Sequence, residues 1–205
     1  MRAWLVTVLF SGGALAAPTT YTLTPESTLD ARIYKAGVAS RMAHDHVIRA
    51  SEVRGQVTYD PAAPHTMALQ VTVPTATLQA DPARVRHQYG LPADIGDDDR
   101  KAVEKNMKGR YQLDVAKYPE ITFKLTLAAR VGGKFIVEGD LSIRGQTKRV
   151  NLPVEITADG QRFVGTGEVR VHHRDFGFEP YSAALGAVRN QEKIDLILKL
   201  AAAPK

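Results

Sequence analysis

The chain has no cysteine among its 205 residues. No disulfide can staple it, so stability has to come from a hydrophobic core. No thiol is available for acylation, which excludes a lipid-anchored lipoprotein, and any metal would have to be held by imidazole and carboxylate. Long apolar runs are also lacking. Past the N-terminus nothing approaches the roughly 20 apolar residues of a membrane-spanning helix. There is no Gly-x-Ser-x-Gly motif, no phosphate-cradling glycine loop, and no nucleophile with a matched base in a recognisable catalytic order. Internal repeats and low-complexity linkers are absent. Basic residues outnumber acidic ones, 27 to 22. They are scattered and not interleaved with aromatics, which argues against nucleic acid as a partner.

What is present is an ordinary globular balance, 44% hydrophobic and 24% charged, in a chain long enough for one sizeable core. The N-terminus reads as a secretory signal peptide. Arg2 is followed by an apolar run from position 3 to 10, broken only by Thr7, then Gly12-Gly13 and Ala14-Leu15-Ala16. Cleavage is expected after Ala16, because cleavage after Ala17 would put Pro18 beside the scissile bond. Residues 1–16 are therefore expected to be removed, leaving one domain over 17–205 in the periplasm or outside the cell. Loss of Arg2 lowers the formal charge from +5 to +4.

Two-residue alternation dominates the rest. Ile121, Phe123, Leu125 and Leu127 alternate with polar residues, which puts them on one face of a strand. Gly132-Gly133 supplies the positive φ of a hairpin turn, and Phe135, Val137, Leu141 and Ile143 then share a face. Further strands are expected at 21–23, 29–34, 53–59 and 67–73, around 150–156, and across Phe163, Val169 and Val171. Another runs through Ile194, Leu196, Leu198 and Leu200. Pro153 argues for a bulge or an edge. Gly139, Gly165 and Gly167 on inward faces leave volume, mark bulges or let a ligand approach. Residues 81–109 break the rhythm. Val103 and Met107, four apart, predict a short amphipathic helix over 97–109, with Asp97, Asp98 and Asp99 at its positive end. The expected fold is all-β, an antiparallel barrel or sandwich of about eight strands.

Three places carry candidate chemistry. His44 and His46 in His44-Asp45-His46 would point to one face of an extended segment and could share zinc or copper; a polar, hydrogen-bonded pair near a barrel mouth is the alternative. His173 falls on the inward face with Val169 and Val171, as a core group or as a third imidazole. Arg174-Asp175-Phe176-Gly177 suggests an ion pair or turn lock beside core phenylalanines. Arg144, Lys148 and Arg149 form the densest basic patch, either a solvated turn or a transient contact for a membrane surface.

Several segments carry a family resemblance. Asp114-Val115-Ala116-Lys117-Tyr118-Pro119-Glu120-Ile121-Thr122-Phe123, Gly139-Asp140-Leu141-Ser142-Ile143-Arg144-Gly145-Gln146-Thr147-Lys148 and Arg174-Asp175-Phe176-Gly177 resemble the signature of the YceI-like family. The opening Tyr21-Thr22-Leu23-Thr24-Pro25-Glu26-Ser27 is similar to the family's first strand. This resemblance implies a lipocalin-like extended barrel that binds a polyisoprenoid or similar long-chain amphiphile in the periplasm, without catalysis. The expected lining is Phe123, Leu125, Phe135, Val137, Leu141, Val169 and Phe176. Residues 40–46 and 97–112 depart from the family's usual pattern and are expected to shape the pocket mouth. The expected partner is a small amphipathic lipid, bound by a monomer or homodimer.

Overall fold

The computed structural model describes residues 17–92, 95–132 and 134–205. The expected signal peptide lies outside them. Twelve strands and two α-helices follow in the order β1 (Thr19–Leu23), β2 (Thr28–Ala36), β3 (His46–Ala50), β4 (Arg54–Tyr59), β5 (Ala68–Pro74), β6 (Leu78–Ala80), α1 (Ala83–Gln88) and α2 (Asp97–Lys108). Then come β7 (Glu120–Val131), β8 (Lys134–Ile143), β9 (Gln146–Ala158), β10 (Phe163–His172), β11 (Ser182–Ala183) and β12 (Val188–Pro204). No helix among the described residues is long and apolar enough to cross a membrane.

The strands form a closed antiparallel barrel. The ring runs β1-β4-β5-β7-β8-β9-β10-β12 and returns to β1, eight strands in all. Closure is confined to one end. On its free edge β12 pairs with β1 only at Ala202, Ala203 and Pro204. From Arg189 to Lys199 the same edge carries β2 instead, and β3 and β6 extend the sheet beyond it. The wall therefore splays at the other end, and α2 lies beside the last strand, β6. Two clips hold the helix there. Ala80 N–H donates to Glu104 Oε2 (3.2 Å), and Lys108 Nζ donates to the Ala76 carbonyl (3.0 Å).

The two ends are filled differently. At the closed end an eight-stranded barrel leaves an interior that side chains can fill. Tyr21, Tyr59, Phe135 and Phe163 do so, with ring centroids 5.7–6.4 Å apart. At the splayed end Leu141, Ile143, Val171, Phe176, Phe178 and Ile194 form a second buried cluster. Phe123 and Val169 touch both clusters.

Burial along β8 alternates without interruption from Phe135 to Ile143. Its partner β7 does not keep the expected phase. The register shifts between Leu125 and Leu127, so Leu127 turns outward, 54% exposed, and Ala128 takes its place in the core. A bulge adds one residue to one strand and reverses the facing of everything after it. Pro153 sits in β9 just before Val154, where pairing of β9 with β10 begins, so that side of the chain does not need the N–H that proline lacks.

Inward glycines make room for protein, not for a ligand. An added Cβ at Gly139 would lie 2.2 Å from the Phe123 ring and 2.7 Å from the Lys124 carbonyl. Gly165 faces the Phe163 ring, and Gly167 faces Val154 and Leu152. Gly139→Ala should therefore destabilise the barrel by about 1–3 kcal/mol through overpacking. Equilibrium denaturation checks this; an unchanged midpoint would show that the Phe123 ring has space to move.

Candidate functional site

A partly open cavity of about 180 Å³ occupies the splayed end. β2 contributes Leu29, Ala31 and Ile33, and β3 contributes His46 and Ile48. β12, paired with β2, continues this wall with Ile194 and Leu196, and β8 contributes Leu141 and Ile143. Val103 and Met107 come from α2, on the face that their four-residue spacing predicts. Asn106 and Tyr181 also line the cavity and are exposed to solvent, so they mark its mouth. Among the described residues no Asp, Glu, Lys or Arg lines the cavity.

The two imidazoles are held by different means. His46 Nδ1 lies 2.6 Å from Asp81 Oδ2. Asp81 is fully buried and also accepts from Val47 N–H (3.0 Å) and from Arg86 Nη1 (2.7 Å). Arg86, equally buried, donates from Nε to the Pro92 carbonyl (2.6 Å) and from Nη1 to the Asp45 carbonyl (2.8 Å). Burial works to raise the Asp81 carboxyl. The hydrogen bond and charge of His46, the Val47 N–H and Arg86 outweigh it and hold the group below the usual carboxylate range. Asp81 is thus ionised and can only accept, so His46 carries its proton on Nδ1. The residue adopts φ of +51°, a left-handed conformation that aspartate tolerates better than most residues.

His173 is 2% exposed, and its Nδ1 lies 2.7 Å from the Glu192 carbonyl oxygen. A carbonyl only accepts, so this Nδ1 also carries the proton. Burial pushes the imidazole below its ordinary value, against the smaller opposing pull of Glu192. Phe178 packs edge-on to the ring at 5.2 Å.

The sequence expectations fall into place unevenly. His46 and His173 do meet at one cavity. His44 does not join them, because β3 begins at His46 and the preceding residue pair lies outside the strand, where alternation has no force; His44 is exposed. Among the described residues no group of three or more His, Cys, Asp or Glu side chains is placed to hold a metal ion. The expected three-imidazole zinc or copper site is therefore not assembled. Of the seven apolar residues expected as lining, Leu141 lies on the cavity wall. Phe135 and Val137 are buried in the closed-end cluster and Leu125 packs against it. Phe176 is fully buried in the splayed-end cluster, behind the wall. Two of the three basic side chains at the turn are paired within the chain. Arg144 donates to the Gly177 and Arg110 carbonyls, and Arg149 pairs with Asp140 and Glu138. Nothing local in the sequence marks Asp81 and Arg86, since two charges five apart at a strand-to-helix junction look solvated until their long-range partners are known.

The family described as YceI-like domain matches residues 21–202. The chain belongs to the YceI-like family. Similar curated proteins include a UPF0312 protein of Photorhabdus laumondii, 25% identical over 154 residues, which are 71% of this chain and 67% of that protein. A UPF0312 protein of Vibrio cholerae is 29% identical over 143 residues, 66% of either chain. The chain thus spans about two thirds of the length of these relatives. Among solved structures, Burkholderia cenocepacia BcnA superposes with a TM-score of 0.64 at 19% identity, covering 87% of this chain and 97% of that one. A Campylobacter jejuni YceI protein gives 0.58 at 18%, covering 77% and 84%. At these identities the structures speak for a shared barrel fold. Within this YceI-like barrel, the Asp81–Arg86 pair ties β3, β6 and α1 together beneath the cavity wall.

Asp81→Asn and Arg86→Leu should each cost about 3–5 kcal/mol, because each strands a buried polar or charged partner. The double variant should cost clearly less than the sum, and a double-mutant cycle by denaturation measures the difference. His173 adds a pH dependence. Its native value lies below its unfolded value, so its contribution is complete above about pH 6.5 and is lost as pH falls through the native value. Melting between about pH 8 and pH 5 should fall less for His173→Gln than for the parent protein; equal losses would contradict the neutral, buried imidazole.

Proposed function

We propose that this YceI-like protein is an exported, non-catalytic binding protein that holds a long-chain amphiphile, a polyisoprenoid or similar lipid, by one end. The observation that carries the proposal is an apolar cavity lined without an Asp, Glu, Lys or Arg side chain among the described residues, in which two imidazoles are the strongest polar features. A void of about 150 Å³ holds a benzene ring, so 180 Å³ accepts one ring or the first several carbons of a chain. The remainder of a longer ligand would leave through the mouth beside Asn106 and Tyr181. At about 0.8 kcal/mol per buried methylene, a six-carbon stretch contributes on the order of 5 kcal/mol before ordering costs.

Binding is favoured over hydrolysis on the lining itself. The His46–Asp81 pair has the form of a base and its orienting carboxylate, yet no serine, threonine or cysteine lines the cavity with it among the described residues. Helix α2 is the natural gate. None of its residues is fully buried, although Val103 and Met107 close one side of the cavity. An element with so few buried contacts opens at low cost.

Native mass spectrometry of protein purified without detergent should show a co-purified mass in the lipid range. Met107→Trp, which fills the cavity from α2, should remain folded and lose that mass. A parent protein that neither carries nor takes up any amphiphile would refute the proposal. Export is tested separately. N-terminal sequencing of material from the periplasm or medium should begin at Ala17, and an intact Met1 would overturn it.

A further inference from the structure

We infer that the cavity selects an amphiphile whose head is a neutral hydrogen-bond donor, a hydroxyl or an amide N–H, and that the Nε2 atom of His173 reads it. This rests on the amphiphile-binding proposal and narrows its ligand class.

Both rings present the same face. Each Nδ1 is bonded into the protein, to the Asp81 carboxylate or to the Glu192 carbonyl, and each must donate there. The proton is therefore fixed on Nδ1 of each ring, and in His173, where burial favours the neutral form, Nε2 is left with a lone pair. Neither Nε2 has a hydrogen-bond partner among the described residues, and neither is sealed off as a buried unsatisfied atom. For His173, 2% exposed and on the cavity wall, the open space beside the ring is the cavity.

The remaining polar lining groups are less discriminating. The carboxamides of Asn106, Gln112 and Asn190 and the Tyr181 phenol each offer both a donor and an acceptor. His173 offers only an acceptor. A phosphate or carboxylate entering this end would meet that lone pair and no lining Lys or Arg among the described residues, and burying an unpaired charge is costly. An ether or ester would leave the His173 acceptor unmatched. An alcohol or amide satisfies it.

Three ten-carbon probes separate these cases: 1-decanol, methyl decyl ether and decyl phosphate, measured by calorimetry on the full folded protein. The ether is the more apolar, so hydrophobic burial alone would favour it. One matched buried hydrogen bond should instead make decanol about tenfold tighter than the ether, with decyl phosphate weaker than decanol. His173→Phe should bring the alcohol and ether affinities within about threefold of each other, and His173→Gln, which restores an acceptor, should recover part of the preference. Equal affinities for alcohol and ether in the parent protein, or phosphate binding tightest, would overturn the inference. So would a folded His173→Phe variant that keeps the full preference. The parent series decides the question if that variant does not fold. If none of the three probes binds, the amphiphile proposal fails and the headgroup inference fails with it; if all bind alike, only the headgroup inference is lost.

Discussion

The architecture depends on how β12 divides one edge between two partners. Its last residues pair with β1 and close an eight-stranded ring, while the eleven-residue stretch from Arg189 to Lys199 pairs with β2. A strand edge can make only one set of ladder bonds, so where β2 holds the edge, β1 cannot. Closure at one end and splaying at the other follow from that competition. The closed end is narrow enough for four aromatic rings to fill. The splayed end is too wide to fill with strand side chains alone, and a helix that buries none of its residues completely covers it. The cavity is the volume left between them.

A second constraint is electrostatic. Bringing Asp81 and Arg86 out of water costs several kcal/mol for each ion, and the fold recovers this only through their mutual pair and their bonds to Val47, Asp45, Pro92 and His46. Such a cluster is poor at adding stability and good at fixing geometry. Here it fixes the end of β6, the first turn of α1 and the start of β3, and with them the tautomer and orientation of His46. The apolar cavity thus receives a rigid polar feature, with no Asp, Glu, Lys or Arg on its wall among the described residues.

Much of this was legible in the sequence where the pattern is local. The unbroken alternation from Phe135 to Ile143 and the Val103–Met107 spacing each report a nearest-neighbour periodicity, and each corresponds to an observed element. Elements that depend on distant partners were not legible. The bulge at Leu125/Leu127 depends on β8 as well as β7, so Leu127 looked like core and is exposed. His44 looked paired with His46 because alternation was extended past the end of β3, which is only five residues long. The lining was expected along the most regular strands, but regular strands pair well, close the barrel and pack solid. The cavity lies where pairing gives out; two of the candidate metal ligands, His46 and His173, line it, and the carboxylate that orients His46 has no mark in the sequence.

The most direct measurement is a nitrogen-detected NMR spectrum of the histidine rings, taken with and without 1-decanol. His46 and His173 should both appear with the proton on Nδ1. Addition of the alcohol should shift the His173 Nε2 resonance in the direction of an accepted hydrogen bond, leaving both Nδ1 signals in place. A His173 ring protonated on Nε2, or a His173 Nε2 resonance that does not move when the alcohol is bound at saturation, would contradict a cavity whose polar end carries a fixed acceptor.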